Sequence, residues 1–179
     1  MRPTPHVEPM ALRARPARAQ PRGLPVINMG FNELPFPPTP AVADALRDAA
    51  GAVQSYGSPR CDPLRAAIAA AHGIDPEGIL CGNGSEDLLD VLARTFARPG
   101  DEILMSAFGY IQFVLAANRT GATLVKAPEA AFTTDPEALL ARVTEATRVL
   151  FLANPNNPTG TMLEAAALQD LAARLPASV

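Results

Sequence analysis

Lysine, cysteine, tryptophan and long apolar runs are scarce or absent in this 179-residue sequence. Fourteen of its 15 basic residues are arginine, so Lys126 is the only candidate for chemistry that needs a lysine amine. Two cysteines, Cys61 and Cys81, are too few for a disulfide framework and favour a reducing compartment, which predicts a cytoplasmic location. No apolar run approaches the ~18 residues that a membrane-spanning helix needs, so the sequence predicts no membrane protein.

The charges are unevenly distributed along the chain. Residues 1–25 carry five arginines and one glutamate, whereas the rest carries 10 basic and 17 acidic residues. A basic tail on an acidic body is not typical of nucleic-acid-binding domains, so we expect no nucleic-acid partner. Hydrophobic residues make up 48% of the chain, which is enough for a packed core.

The first 25 residues contain six prolines and show no apolar periodicity. Proline interrupts helices, so we expect residues 1–25 to form a disordered or extended arm. The arm contains no apolar stretch of the length found in secretory signal peptides. A targeting leader and an arm that packs on a partner subunit are the functional alternatives.

From residue 26 onward, predicted strands and helices alternate. This alternation predicts an α/β fold, a mainly parallel sheet with helices on both faces. Ligands of such sheets bind outside the carboxyl ends of the strands, where the loops 82–85 and 154–160 have unusual compositions. We predict strands at 78–81, 102–105, 122–126 and 149–153, and helices at 40–50, 62–72, 86–96, 110–118 and 164–175, with one more beginning at Asp135-Pro136.

The first of these loops, Gly82-Asn-Gly-Ser85, precedes a predicted helix. Unpaired N–H groups and the helix dipole favour an anion such as phosphate at a helix N-terminus. Glu86 and Asp87 would repel a phosphate, so we expect their side chains to be turned aside. The alternative is an ordinary strand-to-helix turn with Ser85 as the N-cap.

The second loop, Asn154-Pro-Asn-Asn-Pro-Thr-Gly160, has three asparagines and two prolines in seven residues. Its prolines favour a tight turn that holds an asparagine amide rigidly at the sheet edge. The bond before Pro158 is a candidate for a cis peptide, since cis bonds occur mainly before proline.

Four segments together resemble the fold-type I pyridoxal-phosphate aminotransferases, and within them the histidinol-phosphate aminotransferase-like group. The resemblance covers residues 26–175. It implies that residues 26–179 form part of the cofactor-binding large domain of that family. The matching segments are Asn32-Glu-Leu-Pro35 with Pro38-Thr-Pro40, Tyr56 with Leu64-Arg65, residues 82–87, and residues 154–160.

The resemblance assigns the phosphate of pyridoxal 5′-phosphate to residues 84–86. Ser85 and the backbone around Gly84 and Glu86 would hold this phosphate. Tyr56 would reach it across a dimer interface, which implies a homodimer for the full-length enzyme.

The resemblance also assigns residues to the cofactor ring. Phe108 matches the aromatic residue that stacks on the pyridine ring, although the family often has a tyrosine there. Tyr110 is the second candidate, and a helix-face position is its alternative interpretation. Asn157 would donate a hydrogen bond to the phenolic oxygen of the ring.

The implied activity is transamination, in histidine or other amino-acid biosynthesis. The substrates would be an amino acid or a phosphorylated amino alcohol such as histidinol phosphate, with 2-oxoglutarate as the 2-oxo acid. The family's Schiff-base lysine, pyridine-binding aspartate and substrate-binding arginine follow the last motif seen here. Lys126, at a predicted strand end, does not replace that lysine. We therefore expect this chain to contain no catalytic residue and to be inactive alone.

Three other functions stay open at this stage. A threonine-phosphate-type decarboxylase uses the same scaffold. A non-catalytic module would bind the cofactor or assemble with another subunit. A nucleotide-binding domain could use residues 82–85, but Leu88 stands where a third glycine would be needed.

Overall fold

The computed structural model describes Gly23, Ile27 and residues 32–179. Apart from Gly23, the predicted arm of residues 1–25 lies outside the described residues. Contacts divide the described chain into two compact units, one ending at Leu80 and the other running from Cys81 to Val179. No helix within the described residues is long and apolar enough to cross a membrane.

The first unit contains two helices that begin with the predicted proline signals. Helix α1 spans Pro40–Ala49 and helix α2 spans Asp62–His72, each with proline in its first turn, where the missing N–H costs nothing. Gly73 ends α2 with a φ of 65°, a left-handed conformation that glycine adopts readily. Short 3₁₀ helices follow at Ala50–Ala52 and Pro76–Gly78.

The predicted strand over residues 78–81 is wrong. Residues Pro76–Gly78 form a 3₁₀ helix, and residues 79–84 belong to no strand. The buried Arg65 guanidinium donates hydrogen bonds to the carbonyls of Pro76 and Ile79, which a strand would offer to a neighbouring strand. Leu80 is 64% exposed, so the apolar run is not buried as we expected.

The second unit follows the predicted alternation, with bounds shifted by one or two residues at most ends. One of its helices ends at Gly121 and another begins at Pro136, as the sequence indicates. Its elements are α3 Ser85–Phe96, β1 Glu102–Ser106, α4 Ile111–Thr120, β2 Thr123–Ala127, β3 Glu129–Ala130, β4 Thr133–Thr134, α5 Pro136–Leu140, β5 Thr147–Phe151 and α6 Ala165–Arg174.

Three strands form a parallel sheet in the order β2-β1-β5, which confirms the predicted α/β class. Side chains alternate between the two faces of β1. Ile103 and Met105 pack against α3 and α4 on one face, while Leu104 packs with Leu139 of α5 and Leu171 of α6 on the other. The sheet therefore carries helices on both faces, and its carboxyl edge leads into the loops after β1 and β5.

Strands β3 and β4 form a small antiparallel hairpin that no sequence pattern predicted. Its turn residues Ala131 and Phe132 have φ values of 49° and 59°. Such left-handed conformations are usually signalled by glycine or asparagine, and neither is present in this turn. The hairpin therefore leaves no recognisable turn signal in the sequence.

Candidate functional site

A tight turn follows β1 and presents the aromatic side chain of Phe108. Ser106 is buried at the end of the strand, and the Gly109 N–H donates to the Ser106 carbonyl at 3.1 Å. A Cβ atom on Gly109 would lie 2.8 Å from the Met105 methyl group and 3.2 Å from the Ser106 carbonyl oxygen. A larger residue at this position would therefore displace the Met105 side chain or the turn. The Phe108 side chain is half-exposed.

The loop after β5 is held by two of its three asparagines. The Asn154 side-chain nitrogen donates to the Leu163 carbonyl at 3.0 Å. The Leu163 N–H donates to the Asn154 side-chain oxygen at 2.7 Å. Asn156 is buried and donates to the Phe108 carbonyl at 3.2 Å and to the Thr159 hydroxyl at 2.9 Å. These bonds make the loop the rigid turn that its composition predicts.

The peptide bond before Pro158 is cis, as the sequence suggested, and so is the bond before Pro155. Asn157, between these prolines, is partly buried. Its carboxamide makes no hydrogen bond to another described residue. Asn157 is thus the one asparagine of the loop whose carboxamide makes no hydrogen bond within the described part of the chain.

Both turns line one cavity of about 400 Å³. This volume is within the range of small-molecule sites in proteins. The cavity brings together Phe108 and Asn157, which the sequence analysis selected, and Tyr110, its second aromatic candidate. Its lining residues are Phe108, Gly109, Tyr110, Ile111, Asn157 and Pro158.

The glycine-rich loop leads directly into α3. Gly84 is the N-cap residue with a φ of 83°, and Ser85 is the first helical residue, so the alternative of Ser85 as the N-cap is wrong. Asp87 is not turned aside, because its carboxylate accepts a hydrogen bond from the Asn83 N–H at 3.0 Å. The Ser85 hydroxyl is exposed and makes no hydrogen bond to another described residue.

Tyr110 connects the first turn of α3 with the cavity. Its hydroxyl donates to a Glu86 carboxylate oxygen at 3.1 Å. Burial raises the pKa of the Tyr110 phenol, and the neighbouring Glu86 carboxylate raises it further. The tyrosine is therefore a neutral donor at physiological pH, and the candidate phosphate loop lies beside the candidate ring site.

Two further sequence candidates lie elsewhere. Tyr56 belongs to the first unit, and its side chain is fully exposed. Lys126 is exposed on β2 and pairs in register with Met105 of β1. Within residues 32–179, no cluster of three or more histidine, cysteine or acidic side chains could hold a metal ion.

Sequence reasoning missed Glu129, which contacts the turn that carries Phe108. One Glu129 carboxylate oxygen accepts hydrogen bonds from the Ser106 hydroxyl and, at 3.1 Å, from the Phe108 N–H. Glu129 lies on the hairpin that left no turn signal, so no pattern in the sequence pointed to it. Asn156 belongs to the recognised motif, but its structural role depends on a contact 48 residues away in the chain.

Comparison with known proteins gives a consistent result. A model of the family "Aminotransferase class I and II" matches residues 25–178. The chain is 46% identical over 160 residues to a histidinol-phosphate aminotransferase of Sphingopyxis alaskensis and 43% identical over 157 residues to one of Nitrobacter winogradskyi. Each match covers 88% of this chain and 43% of the relative, so the chain spans less than half the length of these curated proteins.

Solved structures agree with the sequence matches. Histidinol-phosphate aminotransferase from Sinorhizobium meliloti, in complex with pyridoxal-5'-phosphate, is 34% identical with a TM-score of 0.75 over 78% of this chain and 38% of that one. N-Succinyldiaminopimelate aminotransferase from Mycobacterium tuberculosis is 33% identical with a TM-score of 0.68, over 75% of this chain and 39% of that one.

Proposed function

Because the chain belongs to the class I and II aminotransferase family, we propose that residues 81–179 supply part of a binding site for pyridoxal 5′-phosphate. The observation that carries the proposal is the cavity shared by Phe108, Tyr110 and Asn157. It combines an aromatic face with a carboxamide that has no hydrogen-bond partner among residues 32–179. These are the groups that a flat, polar pyridine ring needs.

The phosphate of the cofactor would bind at the N-terminus of α3. The first-turn N–H groups of a helix have no intrahelical acceptors, and the helix dipole favours an anion there. The Ser85 hydroxyl adds a donor at the same place, and Gly84, with a positive φ of 83°, leads the loop into the helix. Tyr56 of a second copy is the further phosphate ligand that we propose for a dimer.

The ring of the cofactor would lie against Phe108. Asn157 would donate a hydrogen bond to the phenolic oxygen of the ring and hold the ring in one orientation. When bound, pyridoxal 5′-phosphate supplies an electron-withdrawing ring that stabilises negative charge on an amino substrate. The residues of this chain bind and orient the group, and Phe108 excludes water from one face.

For the complete enzyme we propose transamination of histidinol phosphate or a similar amino substrate with 2-oxoglutarate. The names of the curated relatives at 42–46% identity support this substrate class. The only lysine of this chain is Lys126, which is exposed on β2 and lies outside the cavity lining. We therefore propose that the 179-residue chain binds the cofactor without covalent attachment and has no turnover alone.

Pyridoxine 5′-phosphate tests cofactor binding directly, since it carries an alcohol in place of the aldehyde and cannot react with an amine. Equilibrium dialysis should show saturable binding to the purified chain. Asn157→Ala and Ser85→Ala should each weaken binding about threefold to tenfold, the effect of one lost hydrogen bond. Asn118→Ala and Ser178→Ala, at exposed positions of the same unit, are the matched controls. Equal affinity in all five chains would contradict the assigned site.

A trapping experiment tests the second part of the proposal. The chain is mixed with equimolar pyridoxal 5′-phosphate, reduced with borohydride and analysed by intact mass. We expect no stoichiometric adduct and no conversion of histidinol phosphate. A stoichiometric adduct on Lys126, lost in Lys126→Arg, would show that this lysine attaches the cofactor after all.

A further inference from the structure

The peptide groups of Phe108 are held on both sides by side chains distant in sequence. Glu129 lies 21 residues away and accepts a hydrogen bond from the Phe108 N–H at 3.1 Å. Asn156 lies 48 residues away and donates to the Phe108 carbonyl at 3.2 Å. The backbone of a single residue is thus fixed by the β3–β4 hairpin and by the loop after β5.

The same hairpin also contacts the Phe108 ring. The ring centroids of Phe108 and Phe132 are 5.3 Å apart and the planes are tilted by 49°, within the range of favourable aromatic pairs. The Phe132 carbonyl accepts a hydrogen bond from the Thr161 hydroxyl at 2.8 Å. The hairpin therefore contacts both turns that line the cavity.

Side-chain packing alone leaves Phe108 loosely constrained, because about half of its surface is exposed (51%). Glu129 uses one oxygen, Oε1, for both the Ser106 hydroxyl and the Phe108 N–H. Its other oxygen, Oε2, is buried with no hydrogen-bond partner among the described residues. An unpaired buried carboxylate oxygen costs free energy, so local stability is a poor explanation for a glutamate here.

We propose that Glu129 is a positioning residue, which fixes the turn of Phe108 so that the aromatic ring keeps one orientation in the cavity. Asn156 holds the following peptide group, through the Phe108 carbonyl. This inference rests on the proposed function, since the ring to be covered is that of pyridoxal 5′-phosphate. In this inference, Glu129 acts because its side chain is long enough to accept hydrogen bonds from both the Ser106 hydroxyl and the Phe108 N–H. The negative charge of Glu129 has no role.

Three substitutions of Glu129 separate reach from charge. Glu129→Gln keeps the side-chain length and an acceptor oxygen but removes the charge. Glu129→Asp keeps the charge but is shorter by one methylene group, so it does not reach both donors. Glu129→Ala removes both features, and Glu145→Ala, at an exposed position of the same unit, is the matched control.

The orientation of the turn can be measured without any cofactor. The chain has no tryptophan, so Phe108→Trp introduces a single reporter while leaving the backbone hydrogen bonds in place. In this background, Glu129→Ala and Glu129→Asp should shift the emission to the red and increase acrylamide quenching. Glu129→Gln and Glu145→Ala should match the parent, and far-UV circular dichroism confirms that each chain is folded.

Binding of pyridoxine 5′-phosphate to chains that retain Phe108 gives the second readout. Glu129→Ala and Glu129→Asp should bind about threefold to tenfold more weakly, and Glu129→Gln should restore binding. Should the parent chain bind nothing, the proposed cofactor site is wrong, and the fluorescence series still decides whether Glu129 positions the turn.

Two results would overturn the inference. The first is unchanged fluorescence in the folded Glu129→Asp chain, or in Glu129→Ala. The second is altered fluorescence with unaltered affinity for pyridoxine 5′-phosphate, which would show that the orientation of the turn does not affect ligand binding. If Glu129→Ala does not fold, the comparison of Glu129→Asp with Glu129→Gln carries the test.

Discussion

Replacing Asn156 tests how the loop after β5 is attached to the turn after β1. The buried amide nitrogen of Asn156 donates to the Phe108 carbonyl at 3.2 Å and to the Thr159 hydroxyl at 2.9 Å. Asn156→Ala removes both bonds. At about 0.5–1.5 kcal/mol for each, the loss of unfolding free energy should be about 1–3 kcal/mol.

Asn156→Asp distinguishes the direction of these hydrogen bonds from the mere presence of a polar group. Aspartate has nearly the same size, but an ionised carboxylate only accepts hydrogen bonds. One of its oxygens would face the Phe108 carbonyl oxygen, and a charge would be buried without a partner. The destabilisation by aspartate should therefore exceed that by alanine.

Urea denaturation measures both effects in the second unit alone if the chain carries Tyr56→Phe. Tyr56 lies in the first unit and is fully exposed, so Tyr110 becomes the only tyrosine and reports on residues 81–179. Asn118→Ala, at an exposed position on α4, should change the unfolding free energy by no more than about 0.5 kcal/mol. The donor role of this amide is refuted if Asn156→Asp lowers the unfolding free energy no more than Asn156→Ala does, while the unfolding free energies of both variants depend equally on urea concentration.

Two further predictions concern the same unit. In the Tyr56→Phe chain, the ultraviolet absorbance of tyrosinate should titrate above the ordinary pKa of 10.0, and Glu86→Gln should lower that pKa only in part, because burial remains its first cause. Because the folded state favours the neutral phenol, the raised pKa of Tyr110 contributes stability that is complete below the pKa of the unfolded chain. That stability is lost as the pH rises through the pKa of the folded chain. A Tyr110 titration with no shift from 10.0 would contradict this prediction. Leu139→Ala, at a fully buried position, should lower the unfolding free energy by about 2–5 kcal/mol. Leu92 is 41% exposed, so Leu92→Ala should lower it less. Equal losses in the two variants would show that Leu139 is not part of the core.

The parallel sheet was predictable because local signals and burial agree in its strands. Residues 103–105 and 149–151 are apolar, and proline or glycine flanks the helices that neighbour these strands in the sequence. The parallel crossovers then require neighbouring strands to end at the same edge. The sequence placed a site on the loops 82–85 and 154–160, but the first of these loops follows no strand. Phe108, which only the family resemblance indicated, shares a cavity with Asn157 of the second loop.

The errors have tertiary causes. The run Ile79-Leu-Cys81 is apolar enough for a strand. However, the Arg65 side chain, 14 residues earlier in the chain, donates a hydrogen bond to the Ile79 carbonyl. The β3–β4 hairpin turns through Ala131 and Phe132 in left-handed conformations, against their intrinsic preference. Glu129 could not be selected, since its role depends on this hairpin and on the turn after β1.

The glycine-rich loop shows how one segment meets two separate requirements. Gly82 is close to α3, where a Cβ atom would lie 2.8 Å from the Asp87 carboxylate and 3.0 Å from the Leu88 side chain, so a larger residue there would displace these side chains. Gly84 is needed for its positive φ. Asp87 already uses the Asn83 N–H, which removes one donor from the loop.

The donors that remain for an anion are therefore the first-turn amides of α3 and the Ser85 hydroxyl. Glu86 extends to the Tyr110 hydroxyl, and Asp87 folds back to the loop amide, so each carboxylate is held by a hydrogen bond of its own. Both carboxylates still carry negative charge close to the loop. The helix-end amides are fixed donors that the two acids do not occupy, and for this reason we propose Ser85 and its amide as the phosphate ligands.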